Sequence, residues 1–217
     1  MNVFNRFSDV LFTCVDAPPA TVADTFLSAF NKPNESSPRD EHGMPIIQYF
    51  TKQVEQIEPL PYQDKADRDT RKTKRIVFWE PVARPGTTVL MGRSHDGLNY
   101  SVYRLSQHSP FTWINVRVYD DLDYAGCCLD FYSDHRKTMR RVAALYDEDG
   151  WTFNQEGEVQ PFENVSYYSR NAIRERLNRE IVVEYMAKNG CVVTDDDFWE
   201  AAGPAVLLWQ ERPPKKT

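Results

Sequence analysis

The sequence predicts an α+β fold, with an antiparallel β-meander sheet packed with N-terminal and C-terminal helices. Between residues 75 and 154, short segments rich in β-branched and aromatic residues follow one another too closely to leave room for crossover helices. Before and after that region, apolar residues recur at helical spacing. The chain of 217 residues is long enough to bury one core. We therefore expect residues 1–217 to form a single α+β domain.

A strand and a helix are predicted at the N-terminal end. The strand is Phe7–Val15, and Asp16 follows it as a helix cap, with two prolines in the first helical turn, where a missing N–H costs nothing. Three apolar residues then recur at i, i+4 and i+8, namely Val22, Phe26 and Phe30. This spacing predicts a helix with one face turned toward the core.

A second helix is predicted from apolar residues at helical spacing, namely Ile46, Ile47, Phe50, Val54 and Ile57. Prolines follow this segment and end the helical pattern. Residues 31–45 and 59–74 are rich in proline or in mixed charge, so we expect exposed loops there. Residues 213–217 are expected to form a loose tail.

The middle of the chain predicts seven strands. They are Arg75–Glu80, Thr87–Ser94, Asn99–Ser106, Thr112–Tyr119, Ala125–Tyr132, Met139–Tyr146 and Gly150–Asn154. Asp96-Gly97 is the strongest turn signal among them, because both central residues of a type I′ hairpin need a positive φ. The short connections favour antiparallel pairing of neighbouring strands.

The C-terminal third returns to helical spacing. Its helix-forming apolar residues are Ile173, Leu177, Ile181 and Tyr185, and Asn189-Gly190 supplies the stop. Thr194 and Asp197 resemble a capping box for a short final helix that carries Phe198 and Trp199. Val206–Trp209 is predicted as the last strand.

Composition limits the classes of partner. A net charge of -6 and a pI near 5.3 repel phosphate backbones and attract basic surfaces, so we expect no nucleic acid and a possibly basic partner. The sequence has neither an apolar run of membrane-spanning length nor a basic leader followed by an apolar stretch. The expected location is the cytoplasm, without membrane contact. Four cysteines without CxxC spacing predict reduced thiols.

The sequence shows no motif for catalysis, for a metal or for a cofactor. Ser94, His95 and Asp96 are adjacent, whereas the residues of a catalytic triad are distant in sequence. The histidines lack metal-ligand spacing, and the glycines form no phosphate-binding loop. We therefore expect no catalytic residue, no metal and no cofactor. One alternative is an enzyme without a recognisable motif, in which Asp134, His135 and Glu163 titrate in a cleft of the sheet, and another is a structural or assembly component.

Acidic residues form three clusters. The first contains Asp120, Asp121 and Asp123, the second contains Asp147, Glu148 and Asp149, and the third contains Asp195, Asp196 and Asp197. Such clusters commonly terminate strands or cap helices. The functional interpretation is an electronegative face that covers a basic active site. The sequence leaves both interpretations open.

The segment from Gly150 to Leu177 resembles the closing part of bacterial immunity proteins, which protect cells against polymorphic or contact-delivered toxins. The similar residues are Gly150-Trp151-Thr152-Phe153, Gly157, Pro161-Phe162-Glu163, Tyr167 or Tyr168, and Ile173-Arg174-Glu175-Arg176-Leu177. Gly190 and Phe198-Trp199 lie in comparable places. The resemblance covers about the last third of the chain.

This resemblance implies a cytosolic inhibitor that docks on one cognate toxin and blocks its active site or its access to substrate. The acidic charge fits a basic toxin such as a nuclease. The predicted partner contacts are Asp120, Asp121, Asp123, Tyr124 and Trp199. The sequence does not specify the oligomeric state.

Overall fold

The computed structural model describes residues 9–31, 48–54, 75–92, 98–120 and 125–211. Nine strands in these residues form one antiparallel sheet: β1 (Val10–Val15), β2 (Gln48–Val54), β3 (Arg75–Trp79), β4 (Thr88–Gly92), β5 (Trp113–Tyr119), β6 (Gly126–Ser133), β7 (Thr138–Asp147), β8 (Gly150–Gly157) and β9 (Ala205–Glu211). The α-helices in the same residues are α1 (Pro19–Asn31), α2 (Asn99–Gln107) and α3 (Arg179–Lys188). The predicted α+β class with an antiparallel sheet is confirmed.

The strand order is β2-β9-β3-β4-β1-β5-β6-β7-β8. Sequential meander pairing is therefore confirmed for β5 to β8 and for the β3–β4 pair. The first strand, β1, inserts between β4 and β5, and the last strand, β9, inserts between β2 and β3. Strands from the two ends of the chain thus complete the sheet, and β2 and β8 form its edges.

The sheet is covered on both faces. Helices α1 and α2 bury one apolar cluster, whose residues include Val22, Phe26, Phe78, Leu105 and Trp113. Helix α3 and the segments on either side of it bury the other cluster, whose residues include Phe12, Trp79, Val116, Tyr185 and Phe198. The predicted core-facing stripe of α1 is confirmed, with Val22 and Phe26 buried and Phe26 stacked on Phe30 at 4.6 Å between ring centroids.

Two predicted elements have the wrong type. The segment predicted as a second helix contains strand β2, which pairs along its whole length with β9. Asn99–Ser106, predicted as a strand, lies in helix α2 instead, and the residues that α2 buries are Ser101, Val102, Leu105 and Ser106. Two of these four are serines, so the buried face gives only a weak hydrophobic signal. The Asp96-Gly97 turn lies outside the described residues.

The predicted C-terminal helix begins later than its apolar spacing indicates. Ile173–Glu175 forms a short 3-10 helix, and α3 begins only after Asn178, whose side-chain oxygen accepts a hydrogen bond from the Ile181 N–H at 3.0 Å. The predicted final helix is a 3-10 turn at Asp196–Phe198, capped by Asp195. Residues 32–45, 59–74 and 213–217, for which loops and a tail are predicted, lie outside the described residues.

Candidate functional site

The sheet topology brings acidic residues from three parts of the chain to one end of the sheet. Strand β1 begins there, β5 and β7 end there, and β6 and β8 begin there. The Asp120 N–H donates to a carboxylate oxygen of Asp9 at 3.1 Å. The Tyr146 N–H donates to the Ala125 carbonyl at 2.8 Å, which joins the β7–β8 turn to the β5–β6 connection. The described members of this acidic end are Asp9, Asp120, Asp147, Glu148 and Asp149.

A groove of about 370 Å³ opens beside the acidic end. Its aromatic and charged lining consists of Tyr119, Asp120, Trp151, Arg174, Glu175 and Arg179, and its remaining lining includes Leu177 and Asn178. Aromatic residues and arginine are the side chains most enriched at the centres of protein interfaces. The groove therefore has the composition of a protein-docking surface with an acidic margin.

One wall of the groove is the first turn of helix α3. The Asn178 cap and the buried residues Ile181, Val182 and Tyr185 hold this turn against the sheet. Arg179 reaches from it to the Asp120 carboxylate, with 2.5 Å between Nη2 and Oδ2. The side chain of Asp120 remains 53% exposed. A carboxylate beside a helix N-terminus is favourably placed against the helix dipole.

Two aromatic residues of the β7–β8 hairpin flank the groove. Tyr146 and Trp151 are direct cross-strand partners, and their ring centroids are 5.8 Å apart. Tyr146 is 38% exposed, and Trp151 is half-buried. Because the pair is fixed by strand pairing, it offers contact area at little cost in conformational entropy.

The structure describes two of the five predicted contact residues, and these two lie in different places. Asp120 lies at the acidic end, while Asp121, Asp123 and Tyr124 lie outside the described residues. Trp199 is only 9% exposed, and its indole N–H donates to the Val193 carbonyl at 2.9 Å. Its ring packs on Phe12, with 5.3 Å between centroids. Trp199 thus contributes to the core rather than to the acidic end.

The second and third acidic clusters lie at opposite ends of the sheet. The second cluster, Asp147–Asp149, joins Asp120 at the acidic end, although 26 residues lie between Asp120 and Asp147 in the sequence. The third cluster lies at the other end of the sheet, where the Ala83 N–H donates to the Asp197 carbonyl just beyond β3. There a carboxylate oxygen of Asp195 accepts from the Asp197 N–H at 3.1 Å, which is a capping role.

The sequence did not single out the other groove residues. Tyr119 is predicted only as the end of a strand, Arg174 belongs to the immunity-protein resemblance, and Arg179 belongs to no motif. Trp151 belongs to the immunity-protein resemblance, and its place in that motif is the signal that pointed toward this region. The sheet register brings Tyr119 and Gly126 near Trp151, and the chain that leads into α3 places Arg174 and Arg179 beside them.

Two of the three residues of the enzyme alternative form ion pairs, each with a different basic residue. Asp134 and His135 lie in the exposed β6–β7 turn, where Asp134 pairs with Lys137 at 2.9 Å. Glu163 has a fully buried side chain that pairs with Arg140 at 2.8 Å. Among the described residues, no group of three or more His, Cys, Asp or Glu side chains could hold a metal ion.

A second buried ionic cluster lies on the α1/α2 face of the sheet. Asp130 is fully buried and pairs with Arg117 at 2.9 Å and with Arg141 at 3.3 Å. Asn115 also donates to Asp130, at 3.3 Å, and Thr13 donates to Asn115 at 3.0 Å. Because these side chains pair across adjacent strands, a one-residue slip would separate them, so the cluster favours the observed strand register.

No protein-family model matches the chain, and neither the curated proteins nor the solved structures include a significant match. Within the described ranges, none of the helices is both long enough and apolar enough to cross a membrane.

Proposed function

We propose that this chain is an immunity-type inhibitor that neutralises a cognate toxin by binding it through the acidic end and the adjoining groove. The observation that carries the proposal is the position of Asp120 and the exposed Asp147–Asp149 cluster beside a groove lined by Trp151, Tyr119 and two arginines. This combination suits a complementary basic surface on the partner. The inhibitor acts without chemistry of its own, in the bacterial cytoplasm.

The resemblance to immunity proteins supports the same surface. The segment that carries it, Gly150 to Leu177, forms strand β8 and the chain that leads to α3. Four residues of this segment line the groove, namely Trp151, Arg174, Glu175 and Leu177. The residues behind the family resemblance and the residues behind the surface argument therefore overlap.

The charges indicate how the partner is attracted. Asp147, Glu148 and Asp149 are exposed, and they add to a chain whose net charge is -6. Exposed charges at an interface margin mainly raise the association rate, and salt screens this effect over about 8–10 Å. The aromatic groove would then hold the docked partner, in an interface of about 1,600 Å² if the complex is of ordinary size.

The direct test is binding to the product of the adjacent gene. We expect the two purified proteins to co-elute, and we expect co-expression of this chain to rescue cells from that toxin. Failure of both binding and rescue would remove the proposal. Substrate turnover in a cleft of the sheet would instead support the enzyme alternative, and self-association alone would support the assembly alternative.

Charge reversal then tests the surface. We expect Glu148→Lys with Asp149→Lys to weaken association by about tenfold or more at low salt, mainly through a slower association rate. The matched control is Asp196→Lys with Asp197→Lys, which changes the net charge equally at the opposite end of the sheet. Association rates from surface plasmon resonance at two salt concentrations provide the measurement. Equal effects of the two double variants would refute docking at the acidic end.

A further inference from the structure

Two cysteines from opposite ends of the chain meet at the end of the sheet remote from the acidic end. Cys14 lies in β1, one residue before the end of that strand, and Cys191 lies just after helix α3. Their side chains lie close enough for the two thiols to interact. Nη1 of Arg84, from the β3–β4 connection, donates to Sγ of Cys191. A thiol, a second thiol and a guanidinium thus form one cluster.

The backbone around Cys191 holds this arrangement. Gly190 has a φ of +77°, which is the usual conformation of a helix-ending glycine, and the Cys191 N–H donates to the Met186 carbonyl at 2.9 Å. A side chain at position 190 would reach the guanidinium carbon of Arg84 at 3.4 Å. The glycine therefore lets Arg84 lie close against the chain beside Cys191.

The surroundings shift the pKa values of the two cysteines in opposite directions. Burial raises the pKa of Cys14 well above its ordinary value, and the interaction with Cys191 adds to the rise. The interaction with Cys14 lowers the pKa of Cys191, and Arg84 lowers it further against the opposing effect of burial. Cys191 is therefore the more easily deprotonated of the two sulfurs, and Cys14 the less easily deprotonated one.

A cavity of about 250 Å³ reaches the cluster at Cys14 and Arg84, and Cys191 lies next to these two residues without lining the cavity itself. Cys14 and Arg84 both line it, together with Asp16, Thr87 and Asn189. A water molecule needs about 30 Å³, so the cavity has room for a small hydroperoxide and its first waters. The cysteines themselves are almost completely buried, at 3% for Cys14 and 0% for Cys191. Access through the cavity thus favours small oxidants over bulky ones.

The other two cysteines of the chain provide an internal comparison. Burial raises the pKa of Cys127 to about 12 and that of Cys128 to about 11. Arg117 contacts the Cys128 sulfur at 2.7 Å, but the same guanidinium pairs with Asp130, whose charge opposes thiolate formation. Burial and a nearby arginine are therefore not sufficient by themselves to activate a cysteine in this protein.

We propose that Cys14 and Cys191 form a peroxide-reactive dithiol, with Cys191 as the attacking thiolate, Cys14 as the resolving thiol and Arg84 as the stabilising cation. The substrate class is a small hydroperoxide, including hydrogen peroxide. This inference is independent of toxin binding, since the cluster lies at the other end of the sheet from the proposed docking surface.

The reaction balances in two steps. The Cys191 thiolate attacks the terminal oxygen of ROOH, so that an S–O bond forms, the O–O bond breaks and RO⁻ leaves, which gives a sulfenic acid. The Cys14 sulfur then attacks the Cys191 sulfur. An S–S bond forms, the S–O bond breaks, and the hydroxyl leaves with the Cys14 proton as water. The two thiols lose two electrons, which the peroxide accepts.

The experiment is site-resolved oxidation of the purified full chain. Folded protein is titrated with hydrogen peroxide, free thiols are blocked, and disulfides are mapped by mass spectrometry. We expect one intramolecular link, Cys14–Cys191, while Cys127 and Cys128 remain reduced. The pKa of Cys191 is lowered and that of Cys128 is raised, so Cys191 has the larger thiolate fraction, and its lower nucleophilicity offsets only part of this advantage. The net expectation is about tenfold faster oxidation of Cys191.

Three variants separate the roles. Cys14→Ser should leave a Cys191 sulfenic acid that dimedone traps when it is added together with denaturant, and Cys191→Ser should abolish both the link and the trapped product. Arg84→Gln should slow oxidation at least about threefold, because the thiolate loses its cation. Because the disulfide map is measured on the wild-type chain, it tests the proposal even if a variant fails to fold.

Two results would overturn the proposal. One is equal oxidation of all four cysteines in the folded chain, and the other is the absence of a Cys14–Cys191 link after oxidation. Protein unfolded in urea serves as the control. There the four thiols should react at similar rates, which shows that any selectivity of the folded chain comes from the tertiary structure.

Discussion

Replacing Glu163 by alanine tests the energetic role of the buried Arg140–Glu163 pair, which anchors the chain after β8 to the sheet. The side chains are 2% and 0% exposed. Arg140 donates to Glu163 from Nε at 2.9 Å and from Nη2 at 2.8 Å, which is a bidentate arrangement. The carboxylate also accepts from the Tyr168 hydroxyl at 2.6 Å and from the Gln160 N–H at 2.7 Å.

Glu163→Ala should lower the free energy of unfolding by about 3–5 kcal/mol, because it leaves a buried guanidinium without its counter-ion. Arg140 would still donate hydrogen bonds to the Gly157 carbonyl at 2.9 Å and to the side-chain oxygen of Gln155 at 3.0 Å, but both acceptors are neutral. Burial and the hydrogen bond to Glu163 raise the pKa of Tyr168, so this hydroxyl remains a donor and would lose its acceptor. For a chain of this size the loss corresponds to a decrease of about 10 °C in Tm.

The assay is urea denaturation followed by tryptophan fluorescence and circular dichroism. The double variant Arg140→Met with Glu163→Leu removes both charges, and we expect it to lose only about 2 kcal/mol, less than Glu163→Ala alone. Asp134→Ala is the surface control, because its pair with Lys137 is exposed at both residues. We expect it to cost less than about 1 kcal/mol.

Two outcomes would refute this reasoning. A loss below about 1 kcal/mol for Glu163→Ala would mean that water or another cation replaces the pair at little cost. If the losses measured for Arg140→Met alone and Glu163→Leu alone summed to the loss of the double variant, Arg140 and Glu163 would not interact energetically. Either result would reopen a titrating role for Glu163, as the enzyme alternative requires.

Two further predictions concern backbone crowding and surface titration. Gly157→Ala should destabilise the protein by about 2 kcal/mol more than Gly86→Ala in the same denaturation assay. The φ angles are +80° and +78° respectively, but only at Gly157 would an added Cβ collide with a backbone atom, the Met139 carbonyl oxygen. Equal losses of stability in the two variants would contradict this collision. A hydrogen bond from Lys188 lowers the pKa of Glu184, so its small stabilising contribution is present at neutral pH and is lost as the pH falls through the lowered value. An NMR titration should give Glu184 a pKa below 4.5, and this pKa should rise in the Lys188→Met variant. An unchanged Glu184 pKa in that variant would exclude Lys188 as the cause of the lowering.

Local patterns predicted much of the fold because they report local physics. Alternating and β-branched segments marked β5 to β8, where each strand pairs with its neighbour in sequence. The stripe at Val22 and Phe26 marked α1. These elements needed no information from distant parts of the chain, and each prediction held.

The wrong predictions arose where distant partners override local spacing. Strand β2 has helix-like apolar spacing, but β9 supplies backbone partners from Gln48 to Val54, and pairing of this kind outweighs a weak intrinsic preference. Helix α2 buries two serines, which a hydrophobic pattern does not detect. In both cases the decisive neighbours lie far away in the sequence.

By itself, the sequence determined the fold class, the acidity and the location of most strands, because residue spacing and charge are properties of local chain segments. Only the tertiary structure decided which segments become neighbours. Strand pairing placed Asp120 beside the Asp147–Asp149 cluster, and it brought Cys14 from the first strand to Cys191 near the end of the chain. Sequence separation holds no information about such contacts, since they are set by sheet order and register.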